Sequence, residues 1–261
     1  MDLELHGKVA IVTGASRGIG EAIARSLAEA GCDVCLVARS GDDLERVAAD
    51  IRARTGRKAV THVADLIDHR APAAAVAAAA AAFGRVDILI NNAGATKRGD
   101  FFALTDEDWA AGFGLKFFGA MRMTRTAWPH LKAAKGSIVN IIGMGSRAAS
   151  AEFTIGGSVN SALVNFTRAT GDIGRTDGVR VNAINPGHIA TSRLEGRIAT
   201  AMAKTNVGRE ATIEALLKSY GINRFGRPDE IGCLVAYLCS PKAEFIHGTV
   251  IDMDGGESKA L

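Results

Sequence analysis

The chain has 261 residues, a formal net charge of +3 at neutral pH and only 5% aromatic residues. Its basic residues alternate with Asp and Glu and form no dense block, which argues against a nucleic-acid-binding protein. The sequence shows no signal peptide and no apolar run of about 18 residues, so we expect a soluble protein of the reducing cytoplasm with no membrane partner.

Short apolar runs alternate with segments of helical periodicity along the whole chain. The predicted strands cover residues 8–14, 33–39, 58–65, 86–94, 136–146, 179–187 and 248–256. The predicted helices cover 18–31, 42–56, 71–84, 106–134, 158–174 and 228–240, and a less regular stretch lies at 190–226. Strands separated by helices imply right-handed crossovers, so the sequence predicts one α/β domain over 1–261 with a doubly wound parallel sheet.

Cysteine and histidine positions indicate no metal centre. Cys32 and Cys35 imitate a CxxC pair, but they lie in a predicted buried strand, where residues three apart point to opposite faces. We therefore interpret them as core thiols. The six histidines are scattered and form no ligand pattern, so a metal site is not expected.

The stretch "VTGASRGIG" joins the first strand to the first helix and carries Gly14, Gly18 and Gly20. Glycines there allow a tight turn, and they let backbone N–H groups approach a pyrophosphate at the helix N-terminus. A tight turn alone is the alternative interpretation. Arg17 lies in this loop and Arg39 ends the second strand, where an NAD site has a carboxylate, so NADP(H) is preferred over NAD(H).

Several motifs in order resemble the short-chain dehydrogenase/reductase family, over nearly the whole length. They are "TGASRGIG" at 13–20, "NNAG" at 91–94, "GSIVNI" at 136–141, "RVNAINPGHIAT" at 180–191, "RFGRPDEIG" at 224–232 and "GTVIDMDGG" at 248–256. The resemblance implies a Rossmann-type, three-layer αβα fold that binds NAD(P) and forms a homodimer or homotetramer. It also implies a small carbonyl or alcohol substrate and a variable substrate lid at about 190–226.

The resemblance assigns the cofactor-binding residues by motif. The phosphate end comprises Gly14, Ser16, Arg17, Gly18, Ile19, Gly20 and Arg39; the adenine end comprises Asp65 and Leu66. Asn92, Ala93 and Gly94 are expected beside the ribose, and Pro186, Gly187, Ile189 and Thr191 beside the nicotinamide.

All four positions of the family's catalytic Asn, Ser, Tyr and Lys tetrad are substituted. They read Lys116, Gly143, Gly156 and Asn160, so the usual proton donor is absent. The Asn and Lys positions are exchanged, and in the family a water bridges these two positions, so we expect Lys116 to lie near Asn160. A desolvated Lys116 amine with a lowered pKa could donate the proton. The alternative is a Lys116 that extends to solvent or packs at an oligomer interface.

His188 follows the proline–glycine motif and is a second candidate acid/base, the alternative being a hydrogen-bonded loop histidine. The glycines at the Ser and Tyr positions are expected to widen the pocket.

Three functions follow from this pattern. The first is an NADP(H)-dependent oxidoreductase with a non-standard proton relay, acting on a carbonyl, alcohol or activated alkene. The second is a catalytically silent NADP(H)-binding sensor or partner subunit of a hetero-oligomer. The third is a non-redox lyase on the same scaffold.

Overall fold

A computed structural model describes residues 2–258, which form a seven-stranded parallel sheet. The strands are β1 (Val9–Thr13), β2 (Asp33–Ala38), β3 (Ala59–Val63), β4 (Ile88–Asn91), β5 (Ser137–Ile141), β6 (Arg180–Pro186) and β7 (Val250–Met253). Their order is β3-β2-β1-β4-β5-β6-β7, which confirms the predicted doubly wound fold. The order reverses between β1 and β4, and a crevice for ligands opens at such a switch point, beyond the carboxyl ends of the strands.

Nine helices connect and cover the strands within residues 2–258. They are α1 (Gly18–Glu29), α2 (Gly41–Thr55), α3 (Ala71–Phe83), α4 (Asp106–Phe113), α5 (Gly119–Ala134), α6 (Thr154–Asp177), α7 (Ser192–Thr205), α8 (Arg209–Tyr220) and α9 (Pro228–Cys239). The stretch 190–226 is therefore more regular than its sequence indicated, because α7 and α8 occupy most of it. α6 starts at Thr154, ahead of the predicted 158.

The predicted helix 106–134 is divided into α4 and α5 by a π-helical turn, Gly114–Phe118. π-helical turns are rare and frequently occur at functional sites. This one carries Lys116.

The two faces of the sheet are covered by different helices. Val12 of β1 belongs to a core cluster that includes Ile23 of α1 and Val235 of α9. Its neighbour Ile11 belongs to the opposite cluster, with Val76 of α3 and residues of α5. Alternate strand residues thus face alternate helix layers, which gives the three-layer αβα arrangement.

The two cysteines of the CxxC-like pattern are free thiols in this core. Cys32 and Cys35 are fully buried in different clusters, and burial raises the pKa of the Cys35 thiol to about 12. Over residues 2–258 no three His, Cys, Asp or Glu side chains are grouped to hold a metal ion. Within the same range no helix has the length and apolarity to cross a membrane.

Candidate active site

The glycine loop after β1 is tightly folded. Gly14 and Gly18 have φ values of +66° and +61°, in the left-handed region that favours glycine. A Cβ atom on Gly20 would lie 2.2 Å from the Gly14 carbonyl oxygen, so the helix can approach the loop this closely only with glycine here. The loop thereby brings the first turn of α1 to the carboxyl edge of the sheet.

Asn92, after β4, fixes the glycine loop in place. Its side-chain Nδ2 donates to the carbonyl oxygens of Thr13 and Gly14, at 3.0 and 3.2 Å. The backbone N–H groups of Asn92 and Ala93 both donate to Thr13 Oγ1. These two motif residues therefore have a structural role in joining β1 and β4.

The N-terminus of α1 has the properties of an anion site. Arg17 is the N-cap residue and its side chain makes no capping hydrogen bond, so no side chain at the cap satisfies the first-turn N–H groups. Arg17 and Arg39 are both exposed. In the part of the chain that the structure describes, neither guanidinium has a carboxylate within ion-pair distance. Free N–H donors and two uncompensated cations suit a dinucleotide that carries an additional phosphate.

The remaining predicted cofactor residues lie along the carboxyl edge of the sheet. The Asp65 carboxylate accepts a hydrogen bond from the Ile67 N–H group at 3.0 Å, and Leu66 is buried against Gly119. Thr191 is the N-cap residue of α7, and its Cγ2 lies 3.4 Å from the position a Cβ of Gly18 would occupy. The start of α7 thus meets the glycine loop.

Two of the residues predicted to lie beside the nicotinamide are fixed by neighbouring backbone. Gly187 is packed against Asp254, where a Cβ would lie 2.7 Å from the Asp254 Cα atom. Ile189 forms a parallel bridge with Gly226. Ser16 offers its carbonyl oxygen to Arg46, Ile19 packs on the core, and Pro186 ends β6.

Lys116 and Asn160 are in direct contact. The Lys116 Nζ atom donates to Asn160 Oδ1 at 2.6 Å and to the Ile142 carbonyl oxygen at 2.5 Å. Its aliphatic stem passes over Gly94, where a Cβ atom would lie 2.9 Å from Cγ and Cδ of the lysine. Asn160 is buried and donates from Nδ2 to the Gly143 carbonyl oxygen at 3.3 Å. The amine of Lys116, from the π-helical turn, therefore contacts the side chain at position 160, where the resemblance expects a lysine.

The environment of Lys116 makes its amine easy to deprotonate. Burial, followed by the positive charge of Arg193, lowers its pKa from 10.5 to about 7. A neutral amine has two N–H groups, which match the two oxygen acceptors and leave the lone pair free. The ammonium form has a third N–H group with no partner among the described residues. Near neutral pH this group can therefore give or take one proton.

The Phe153 ring fills the space beside Gly156, the position at which the resemblance expects a tyrosine. A Cβ atom on Gly156 would lie 2.0 Å from Cζ of the Phe153 ring, and one on Gly145 would lie 2.8 Å from its Cε1. Residue 153 precedes residue 156 by three, so the two lie on one side of the helix start. The expected widening of the pocket at Gly156 is wrong, because this ring fills the gap.

We expect Gly156→Ala to lower the free energy of unfolding by about 1–3 kcal/mol, because the added methyl group overpacks the contact with Phe153. Urea unfolding of Gly156→Ala in a Phe153→Ala background tests whether the Phe153 ring causes this destabilisation. There the same substitution should be neutral or stabilising, since alanine favours helix.

Gly196 provides the matched control for that substitution. It is a helical glycine in α7 with no atom within 4 Å of an added Cβ. Gly196→Ala should stabilise the protein by roughly 0.5–1 kcal/mol. Equal destabilisation by Gly156→Ala with and without the Phe153 ring would contradict the packing explanation.

Both ring nitrogens of His188 are engaged. Nδ1 lies 3.3 Å from a guanidinium nitrogen of Arg197, and Nε2 lies 3.1 Å from a carboxylate oxygen of Glu257. Because a guanidinium only donates, Nδ1 accepts and Nε2 carries the proton. Burial, then the charges of Arg197 and Arg98, lowers the His188 pKa to about 4, and the ring stacks on Tyr220 at 3.6 Å. This geometry agrees with the hydrogen-bonded alternative, in which His188 is neutral at pH 7.

Three arginines around the crevice were not identified from the sequence. Arg98 follows the β4 motif, and its Cζ lies 3.9 Å from the centroid of the Phe153 ring. Arg193 donates to the Gly94 carbonyl oxygen at 3.0 Å, and Arg197 contacts His188. They belong to the loop after β4 and to α7, where the basic residues show no distinctive spacing.

Comparison with known proteins agrees with this architecture. The profile of the family described as enoyl-(acyl carrier protein) reductase matches residues 14–258. An uncharacterized oxidoreductase of Mycobacterium tuberculosis is 35% identical over 97% of this chain and 92% of its own length. The oxidoreductase UcpA of Salmonella typhimurium is 33% identical over 98% of this chain and 96% of its own length.

A solved structure is similar over the full length. L-sorbose reductase from Gluconobacter frateurii, complexed with NADPH and L-sorbose, superposes with a TM-score of 0.96 at 29% identity and covers 100% of both chains. The glycine loop, the sheet order and these matches have one explanation. The chain belongs to the short-chain dehydrogenase/reductase family of oxidoreductases.

Proposed function

We propose that this protein is an NADP(H)-dependent oxidoreductase of a small carbonyl, alcohol or activated-alkene substrate, in which Lys116 replaces the tyrosine as proton donor. The observation that carries this proposal is the placement of the Lys116 Nζ atom on Asn160 Oδ1, at 2.6 Å. A lysine in contact with solvent would give no such reason to expect catalysis.

The residues that would hold the dinucleotide fit it. The first turn of α1 and Arg17 would take the pyrophosphate end, and Arg39 would take the additional phosphate of NADP(H). Asp65 and Leu66 lie on the adenine side, and the β6 end through Thr191 lies on the nicotinamide side. A reduced dinucleotide bound there supplies hydride to the substrate carbon. The similarity to a reductase complexed with NADPH supports NADP(H) over NAD(H).

The chain's own contribution is the proton. The ammonium of Lys116 keeps two of its N–H groups on Ile142 and Asn160, which leaves the third to donate to the oxygen of a carbonyl being reduced. Since the pKa of Lys116 is about 7, the donor is both populated and a strong enough acid at neutral pH. Asn160, held by the Gly143 carbonyl oxygen, positions the amine. We assign no proton transfer to His188, because both of its nitrogens are engaged.

The test is a fluorescence titration with NADPH and NADH, followed by an assay of NADPH oxidation against a panel of carbonyl compounds and activated alkenes. Tight NADPH binding with turnover of at least one compound is the expected result. Tight binding without turnover by the purified protein would favour a silent sensor or a hetero-oligomer subunit. Product formation with no change in NADPH absorbance would favour a lyase. Light scattering of the same sample should give a homodimer or homotetramer.

Arg39→Ala should weaken NADPH binding about 10- to 100-fold and leave NADH binding unchanged, since a charged hydrogen bond to the additional phosphate is lost. The two dissociation constants are measured by the same fluorescence titration. Arg54→Ala is the control, because Arg54 is an exposed arginine of α2 that pairs with Glu29. Equal weakening of NADPH and NADH binding would contradict the assignment of Arg39.

A further inference from the structure

Arg98, Arg193 and Arg197 lie close enough to influence one another's charge, and Arg193 also acts on Lys116. Arg193 binds the carbonyl oxygen of Gly94, the residue that supports the Lys116 stem. Arg197 binds His188, directly after the proline–glycine motif. Arg98 stacks on the Phe153 ring, which fills the space beside Gly156. These contacts bring the loop after β4, helix α7 and the end of β6 together.

These cations lack carboxylate partners. Among residues 2–258, no acidic oxygen lies within ion-pair distance of Arg98, Arg193 or Arg197, whereas other arginines of the chain, such as Arg147, Arg209 and Arg224, are paired. The acidic groups that influence the cluster are Glu152, whose charge acts on Arg98, and Glu257, which contacts His188 and interacts electrostatically with Arg197. Two carboxylates facing three guanidinium groups and Lys116 leave an excess of positive charge.

The arginines also repel one another. Both side chains are exposed at the surface, but partial desolvation and then the charge of Arg197 lower the pKa of Arg98 and that of Arg193. Like charges held together without a counter-ion are unfavourable in the free protein, and an anion placed among them relieves the repulsion.

We propose that the substrate carries an oxoanion, a carboxylate or a phosphate, and that Arg98 and Arg197 bind it while Lys116 acts on the reacting oxygen. This rests on the function proposed above. A guanidinium has five N–H donors; Arg98 makes no hydrogen bond within residues 2–258 and Arg197 makes one, so both can form a forked contact with an oxoanion. Arg193 is left out because its contact with Gly94 and the influence of Arg17 on it place it nearer the dinucleotide.

Phe153 is the positioning residue of this site. Its ring face holds the Arg98 guanidinium by a cation–π contact, and the ring itself is held against Gly145 and Gly156. The loss of a side chain at Gly156 thus makes room for the support of an anion-binding arginine.

The experiment measures binding, not turnover. Isothermal titration calorimetry of the protein with and without NADP⁺ compares two matched pairs of probes: acetoacetate with methyl acetoacetate, and dihydroxyacetone phosphate with dihydroxyacetone. In at least one pair the anion should bind about tenfold or more tightly than the neutral compound, as expected for charge-assisted hydrogen bonds. The pair that shows the preference identifies carboxylate or phosphate.

The double variant Arg98→Ala/Arg197→Ala should abolish that preference and leave the affinity for NADPH unchanged. Phe153→Leu should weaken binding of the anion about two- to fivefold and leave the neutral probe unaffected. The control is Arg175→Ala, which removes an exposed arginine of α6 paired with Asp172.

The proposal is overturned if neither pair shows the preference, or if the preference survives in the double variant. Failure to bind NADPH, with the anion preference intact in the dinucleotide-free titration, would instead reject the proposed oxidoreductase and leave the anion site standing.

Discussion

Lys116→Met should lower kcat for NADPH-dependent reduction about 10²–10⁴-fold, the contribution typical of general acid catalysis. Methionine keeps most of the length and apolar character of the stem that crosses Gly94 but has no proton to give. Because we propose that Lys116 acts at the reacting oxygen and not at the phosphate end, the dissociation constant for NADPH should change less than about threefold. Steady-state kinetics with the best carbonyl compound of the panel and a fluorescence titration measure the two quantities.

Lys97→Met is the matched control for this loss. Lys97 is exposed and paired with Asp108, so its removal should leave kcat within about twofold of wild type. Asn160→Ala removes an acceptor of the Lys116 amine without removing the amine, and should lower kcat by a smaller factor. A Lys116→Met enzyme that retains full kcat would show that another group supplies the proton.

The fold was predictable because its strands are almost continuous apolar runs separated by glycine and proline signals. β1 and β4 are buried on both faces, so their continuous apolar runs and their composition both predict buried strands. The division between α4 and α5 was not predictable, because the apolar periodicity continues through Gly114–Phe118. Helices α7 and α8 were missed because few of their side chains are buried: Leu194 and Ile198 in α7, and Thr212 in α8.

Within the site, the contact between Lys116 and Asn160 could be anticipated from the exchange of two residue types at positions that the family brings together. The role of Phe153 could not, because the sequence shows the lost side chain at Gly156 but not what replaces it. The three-residue spacing between Phe153 and Gly156 is the signal that was available. Arg98 and Arg197 come together only through the tertiary placement of a loop and α7, which local spacing does not encode.

The pH dependence of stability tests the lowered pKa of Lys116 without a substrate. In the folded protein its pKa is about 7, against 10.5 for an ordinary lysine, so between these values the unfolded chain holds a proton that the folded chain has released. Stability therefore rises through this group as the pH increases from 7 to 10.5, and is lost as the pH falls toward 7. Urea unfolding at several pH values gives the difference in the free energy of unfolding between wild type and Lys116→Met. This difference should increase from pH 7 to 10.5, and a difference independent of pH would contradict the lowered pKa.

The rate of carbonyl reduction should be flat below about pH 7 and fall about tenfold for each further pH unit, reaching about a 100-fold loss at pH 9. The donor must be the ammonium form, which disappears above its pKa, whereas alcohol oxidation needs the neutral amine and should rise with pH up to 7 and then level off. Measurement of kcat from pH 5 to 9, at saturating NADPH for reduction and at saturating NADP⁺ for oxidation, tests both pH dependences.

The pH at which the reduction rate begins to fall identifies the residue that donates the proton. His188 has a pKa of about 4, so a histidine donor would lose activity well below neutrality, whereas an ordinary tyrosine would act up to about pH 10. The residual rate of Lys116→Met should show no inflection near pH 7. An inflection that persists in this variant would assign the titration to another group, because a removed amine has no proton to lose.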